Sequence, residues 1–119
     1  MFDIIKKLAQ TYGPSGNEKK VADAIIEMVK GKVDEIRTDP LGNLICVKKG
    51  NGSGKKIMLA AHMDEIGFMV HVITDEGFIR FIPMGGWWDQ VLLGKKVQIK
   101  TSQGLVTGVI GSKPPHILK

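Results

Sequence analysis

The run Ile57–Gly67, Ile-Met-Leu-Ala-Ala-His-Met-Asp-Glu-Ile-Gly, carries the strongest signal for the fold of this chain. Its first part, Ile57–Ala61, is continuously apolar without alternation, which is typical of a strand covered on both faces of a sheet. An imidazole and two carboxylates follow directly, at His62, Asp64 and Glu65. Because open α/β sheets bind ligands just outside the carboxyl ends of their strands, the run predicts an α/β fold with a site at this strand end.

Two helices are predicted before this run. Apolar residues at spacings of three and four predict one helix over Phe2–Gln10 and a second over about Asn17–Val29. Ser15 and Glu18 match the S-x-x-E capping box, which predicts that these side chains satisfy the free amides at the start of the second helix.

Short strands are predicted through the rest of the chain, and no helical period appears after Val29. The expected strands are Val33–Thr38, Leu44–Lys48, Phe68–Thr74, Gly77–Pro83, Lys96–Thr101 and Leu105–Ile110, of which the last four form two hairpins. We therefore expect helices and a mixed sheet over residues 1–70, and a small antiparallel β module over residues 71–119.

Composition places the chain among globular proteins. Of its 119 residues, 43% are hydrophobic and 24% charged, which argues against a disordered, collagenous or low-complexity chain. Its apolar runs are far shorter than the roughly 20 residues of a membrane span, so we expect no membrane partner and a cytoplasmic location. The single cysteine, Cys46, excludes a disulfide framework and is expected to be a buried bystander.

The net charge of +5 raises nucleic acid as a partner, because phosphate binding uses clustered Lys and Arg. The lysines are instead scattered as pairs, and no aromatic residues interleave with them as a base-stacking platform requires. We therefore expect a solvated basic surface and no nucleic-acid partner.

The pattern His62-x-Asp64 is a candidate metal site. A neutral histidine ring can ligate a metal while a carboxylate two residues later holds the other ring nitrogen or contacts the metal shell. The same pattern also arises by chance, and a hydrolytic metal centre needs about three or more protein ligands for each ion. The other histidines are His71, expected to be half-exposed on a strand, and His116, expected in a loop, so no complete site is visible.

Six short motifs follow one another along the whole chain. They are Gly13-Pro14-Ser15-Gly16-x-Glu18, Asp39-x-x-Gly42-Asn43, Ala61-His62-Met63-Asp64-Glu65-Ile66-Gly67, Gly85-Gly86, Gly108-Val109-Ile110-Gly111 and Lys113-Pro114-Pro115-His116. As an ordered set they resemble the M42 family of metal-dependent aminopeptidases, a group sometimes labelled cellulase M or endoglucanase.

The resemblance implies a fold, a cofactor and partners. It implies an α/β peptidase domain interrupted by an inserted antiparallel β module that mediates dimerisation, with twelve-subunit shells built from dimers. It also implies peptide substrates and two divalent ions, zinc or cobalt, in each complete subunit. Carried over by position, His62 is a metal ligand, Asp64 is the catalytic carboxylate that orients it, and Glu65 has a supporting part.

In the family, the bridging aspartate, the general-base glutamate and the remaining ligands come from sequence beyond the inserted module, for which this chain has no counterpart. We therefore expect the N-terminal portion of an aminopeptidase, inactive by itself, and leave open whether it binds metal alone. One alternative is a non-catalytic folding or association unit acting through its β module, where Trp87-Trp88 suggests a contact surface. The weakest alternative, an endoglucanase, rests on the family label alone.

Overall fold

The computed structural model describes residues 1–112, which form two compact units, residues 1–85 and the residues from Gly86 onward. The first unit contains two helices, α1 (Phe2–Ala9) and α2 (Lys19–Val29), and four strands, β1 (Glu35–Thr38), β2 (Leu44–Val47), β3 (Gly67–Ile73) and β4 (Ile79–Met84). The second contains a short 3-10 helix (Asp89–Val91) and strands β5 (Lys96–Thr101) and β6 (Gly104–Val109). These elements confirm the predicted helices and hairpins.

Helix α2 contributes a buried hydrophobic side chain to the first unit. Among the described residues, Val21 is the one buried hydrophobic side chain, with 6% of its surface exposed. It packs against Gly13, where an added Cβ would collide with the valine Cγ2. The predicted apolar face continues through Ala24, Ile25 and Met28, which are half-buried. The interior of this unit therefore lies between α2 and the loop that precedes it.

The predicted capping box is wrong. Helix α2 begins at Lys19 with Glu18 as its N-cap, and no side chain caps it. A turn closed by the Asn17 amide on the Pro14 carbonyl precedes it, and Gly16 takes a positive φ of 80°. Because this turn brings the Gly16 amide to Glu18, the Glu18 Oε1 accepts from Gly16 at 2.6 Å instead of from the helix.

The strands pair locally, as three separate two-stranded antiparallel sheets within residues 1–112. The predicted mixed sheet is therefore absent from this part of the chain. The β1–β2 turn is held by Asp39, whose Oδ1 accepts from the Leu41 and Asn43 amides at 2.9 Å each. The β3–β4 pair is stabilised by Phe68 and Phe81, whose ring centroids lie 4.6 Å apart.

The predicted strand over Ile57–Ala61 is also wrong for this structure. These residues form no strand, and the side chains of Ile57, Met58 and Leu59 are 85%, 88% and 93% exposed. A strand forms only where a neighbour satisfies its amides and carbonyls, and no strand pair within residues 1–112 includes this segment. Its apolar composition therefore lacks the covering layers that the pattern predicts.

Cys46 is exposed, so the prediction of a buried cysteine is wrong. Its neighbours on β2, Ile45 and Val47, are half-buried, whereas Cys46 faces the opposite side of the hairpin.

The predicted domain boundary at residue 70 falls inside β3, while the compact units divide at Gly85. Compactness within this chain does not define the domains of a longer protein, so the assignment of residues 1–70 and 71–119 stays a prediction. Over residues 1–112, the helices are too short and too polar to cross a membrane.

Candidate functional site

His62 and Asp64 form a hydrogen-bonded pair, as the spacing predicts. The imidazole Nδ1 lies 2.9 Å from Asp64 Oδ1 and 3.0 Å from the Asp64 backbone carbonyl oxygen. Both oxygens are acceptors when the carboxyl group is ionised, so Nδ1 carries the proton and Nε2 of the neutral ring keeps its lone pair. Since the His62 side chain is 84% exposed, that lone pair is accessible from solvent.

The next residue, Glu65, ties this pair to the loop before α2. The Glu65 amide donates to the Gly13 carbonyl at 2.9 Å, and the Gly13 amide donates to Glu65 Oε1 at 3.2 Å. Pro14 and Glu65 also form a parallel β-bridge. The two Gly13–Glu65 hydrogen bonds join residues 52 positions apart in the sequence.

Glycines allow close approach where residues 64–67 cross the loop before α2 and the end of β4; we call this place the crossing. A Cβ at Gly67 would lie 2.8 Å from Pro14 Cβ, and a Cβ at Gly85 would lie 2.6 Å from Ile66 Cγ2. Gly85 also has a positive φ of 89°, which disfavours other residues. The glycines of two motifs therefore have a steric role beside the His62–Asp64 pair.

An open pocket of about 390 Å³ lies at this crossing. Its lining combines the loop before α2, the segment after His62 and the end of β4, namely Ser15, Gly16, Asp64, Glu65, Ile66, Met84 and Gly85. Sequence reasoning did not predict the roles of Ser15, Ile66 and Met84 in this pocket. The signal available was the set of motifs around Gly13–Gly16 and Gly85, which meet here in space.

The donor set fits part of a metal centre. An imidazole with a carboxylate on its second nitrogen is a common arrangement at protein zinc sites, because the carboxylate fixes the tautomer and raises ligand basicity. Within residues 1–112, no group of three or more His, Cys, Asp or Glu side chains is placed to hold an ion. These residues therefore fit a metal as one contributor to a larger ligand set.

The other two histidines do not join this group in the described structure. His71 is exposed on β3, at an irregularity where Val70 pairs with Phe81 and Val72 with Arg80, so His71 is the extra residue of a bulge. The predicted loop position of His116 lies outside the described residues.

Comparison with known proteins identifies the family. The model of the M42 glutamyl aminopeptidase family matches residues 42–119. The chain belongs to this family of peptidases. Its resemblance to that family, inferred from the motifs, is confirmed.

Individual relatives agree. A TET aminopeptidase from the marine sediment archaeon Thaumarchaeota archaeon SCGC AB-539-E09 is 43% identical with a TM-score of 0.92, covering 99% of this chain and 33% of that one. The lysyl aminopeptidase of Pyrococcus furiosus is 38% identical over 117 residues, 98% of this chain and 33% of the relative.

The TET1 peptidase of Pyrococcus horikoshii, described as assembling into a tetrahedron or a large octahedral shell, is 40% identical with a TM-score of 0.83. The match covers 98% of this chain and 34% of that one. The chain thus spans about a third of the length of the relatives it matches.

Proposed function

We propose that this chain is the N-terminal part of a divalent-metal-dependent aminopeptidase, which removes N-terminal residues from peptides. Membership of the M42 family and the names of its relatives support the peptide substrate class. The observation that carries the proposal is the bond from His62 Nδ1 to Asp64 Oδ1 at 2.9 Å, which leaves Nε2 as a ligand for the metal.

In this proposal each residue of the pair has one role. His62 holds an ion through Nε2, and imidazole suits zinc and cobalt alike. Asp64 accepts the Nδ1 proton, keeps the ring in one tautomer and orientation, and makes it a better electron donor. When bound, two divalent ions supply Lewis acidity that lowers the pKa of water and polarises the peptide carbonyl. By this assignment, the remaining ligands and the general base lie outside residues 1–112, and residues 1–119 alone are inactive.

The test uses the full-length protein and amino-acid anilides or short peptides with a free N-terminus. We expect cleavage that is lost on chelation and restored by zinc or cobalt. A substrate with an acetylated N-terminus is the matched control and should resist cleavage. Cleavage that is indifferent to chelator would contradict the metal-dependent mechanism.

A second role, association, is favoured by the residues from Gly86 onward. Trp88 and Leu93 are 68% and 65% exposed, and Val109 on β6 is 66% exposed. Since large exposed apolar side chains are candidates for contact surfaces, we propose that this region belongs to an inserted module that pairs with a second copy. The assembly described for the Pyrococcus horikoshii relative supports homo-oligomers, which by the resemblance are dimers and twelve-subunit shells.

Light scattering coupled to size exclusion tests this association. The full-length protein should elute as a dimer or a larger closed assembly, and Trp88→Arg should reduce its size. Leu41→Arg, at a leucine of the first unit that is 89% exposed, is the control and should leave the size unchanged. A strictly monomeric wild-type protein would contradict the proposal.

The endoglucanase alternative finds no support in the geometry of this site. Glycosidases need two opposed carboxylates that act on the sugar. Here the Asp64 carboxylate is bonded to His62, and the Glu65 carboxylate is bonded to the Gly13 amide. Both carboxylates of the site are therefore already engaged in positioning.

A further inference from the structure

We propose that Glu65 is a positioning residue, which sets the orientation of the His62 ring by clamping the segment to Gly13. The inference rests on the proposed function, because it concerns how the same metal-binding histidine is held. It assigns to Glu65 a specific task through two bonds to one partner residue.

The first bond acts through a shared peptide plane. The carbonyl of Asp64 and the amide of Glu65 belong to one peptide unit, which is rigid and planar. Its amide end donates to the Gly13 carbonyl at 2.9 Å, and its carbonyl end accepts from His62 Nδ1 at 3.0 Å. Fixing the plane at Gly13 therefore fixes the direction of the carbonyl that holds the imidazole.

The second bond joins the Glu65 side chain to the same residue, Gly13. Glu65 Oε1 accepts from the Gly13 amide at 3.2 Å, so both backbone polar groups of Gly13 are satisfied by Glu65. This bond requires an acceptor oxygen at the reach of Glu65, which a carboxylate and a side-chain amide both supply. The side chain thus reinforces the backbone contact that orients the peptide plane.

Within residues 1–112, no strand pair supports the segment upstream of the pair. Ile57, Met58 and Leu59 are almost fully exposed, and His62 itself is 84% exposed. Among residues 1–112, the backbone contacts that hold the pair in place therefore come from its downstream side, through Glu65 and Gly13. Since Glu65 Oε1 is bonded to a backbone amide, the geometry favours a positioning role over proton transfer.

Two conservative variants of Glu65 distinguish the effect of its side-chain length from the effect of its charge. Glu65→Gln keeps an acceptor oxygen at the same reach and loses the charge. Glu65→Asp keeps the charge but is one bond shorter, about 1.5 Å, so it no longer reaches the Gly13 amide. Glu27, exposed on α2, receives the same two changes as matched controls.

The experiment titrates cobalt into the full-length proteins and follows the visible absorption of the bound ion, which reports ligand geometry independently of turnover. We expect Glu65→Gln to bind within about threefold of wild type with the same spectrum. Glu65→Asp should bind about 10-fold more weakly with shifted bands, as for loss of an outer-shell partner. Both Glu27 variants should match wild type.

If Glu65→Asp bound cobalt as tightly as wild type while Glu65→Gln bound it more weakly, the proposal would be overturned, because the role of Glu65 would then depend on its charge. Equal binding by wild type and both Glu65 variants would overturn it as well. His62→Ala separates the two levels of inference. If it leaves wild-type cobalt binding unchanged, the proposed function fails; if it abolishes binding while the Glu65 variants stay normal, only the positioning role fails.

Discussion

Two parts of one run, residues 57–61 and residues 64–67, differ in how many contacts they make with the rest of the first unit. In residues 64–67, the backbone and side chain of Glu65 bond to Gly13, and Gly67 crosses Pro14 so closely that a Cβ would lie 2.8 Å away. In residues 57–61, Leu59 is 93% exposed and no strand forms. His62 stands between these two parts.

The difference shows where each part finds its contacts. The partners of residues 64–67 lie within residues 1–85, so the bonds to Gly13 and the close approach to Pro14 hold that segment. The apolar side chains of residues 57–61 have no such cover, although their pattern is that of a buried strand. We infer that their cover comes from a longer chain or a second copy.

The largest effect is expected from Leu59→Asp. In the full-length protein this side chain should be buried, and an unpaired buried charge costs several kcal/mol, so little folded protein should be recovered. In residues 1–119 alone, the same change should leave the circular dichroism spectrum unaltered. Leu41→Asp is the control, because Leu41 is 89% exposed and lies in a turn. Equal tolerance of both changes in the full-length protein would contradict the inference.

The second-largest effect is expected at His62, which lies between residues 57–61 and residues 64–67. His62→Ala should weaken zinc binding by the full-length protein by more than about 100-fold, because loss of a ligand exceeds the 10–100-fold cost of losing an outer-shell partner. Calorimetric titration gives the affinity. His71→Ala, at an exposed histidine outside the site, should bind as wild type. A similar loss in both variants would show that His62 has no special place in the site.

A smaller effect is expected where residues 64–67 cross the loop before α2. Gly67→Ala places its Cβ 2.8 Å from Pro14 Cβ, and overpacking of this kind costs about 1–3 kcal/mol. Urea unfolding of the full-length protein measures it. Gly50→Ala meets no atom within 4 Å and should change the free energy of unfolding far less. If the two variants are equally stable, the crossing is looser than the structure shows.

The smallest effect is a local titration in the β1–β2 turn. Hydrogen bonds from the Asn43 side chain, then from the Asn43 and Leu41 amides, lower the pKa of Asp39. A folded-state pKa below the unfolded one means that the stabilisation is present above the unfolded pKa and is lost as pH falls through the folded pKa. Asn43→Ala should therefore raise the pKa of Asp39 toward its ordinary value.

Carboxyl NMR through an acid titration measures that pKa. Asn51→Ala, which removes an amide side chain from another loop, should leave the Asp39 titration unchanged. An unchanged Asp39 titration in the Asn43 variant would contradict the assigned cause.

Features with local causes could be predicted from the sequence. The apolar spacing in α2 and the turn residues of the hairpins act over a few positions, and both are observed. The His62–Asp64 bond was predictable because two residues of separation bring the groups together. The Gly13–Glu65 contact was not, since it joins positions 52 apart. The apolar run 57–61 was misjudged because a strand needs neighbours that no local pattern supplies.

Anomalous diffraction at the zinc edge, from crystals of the full-length protein grown with zinc, tests the central claim most directly. The account predicts a zinc peak about 2.0–2.1 Å from His62 Nε2, with Nδ1 still bonded to Asp64. Zinc bound elsewhere in the protein, or bound to His62 through Nδ1 with Asp64 turned away, would contradict it.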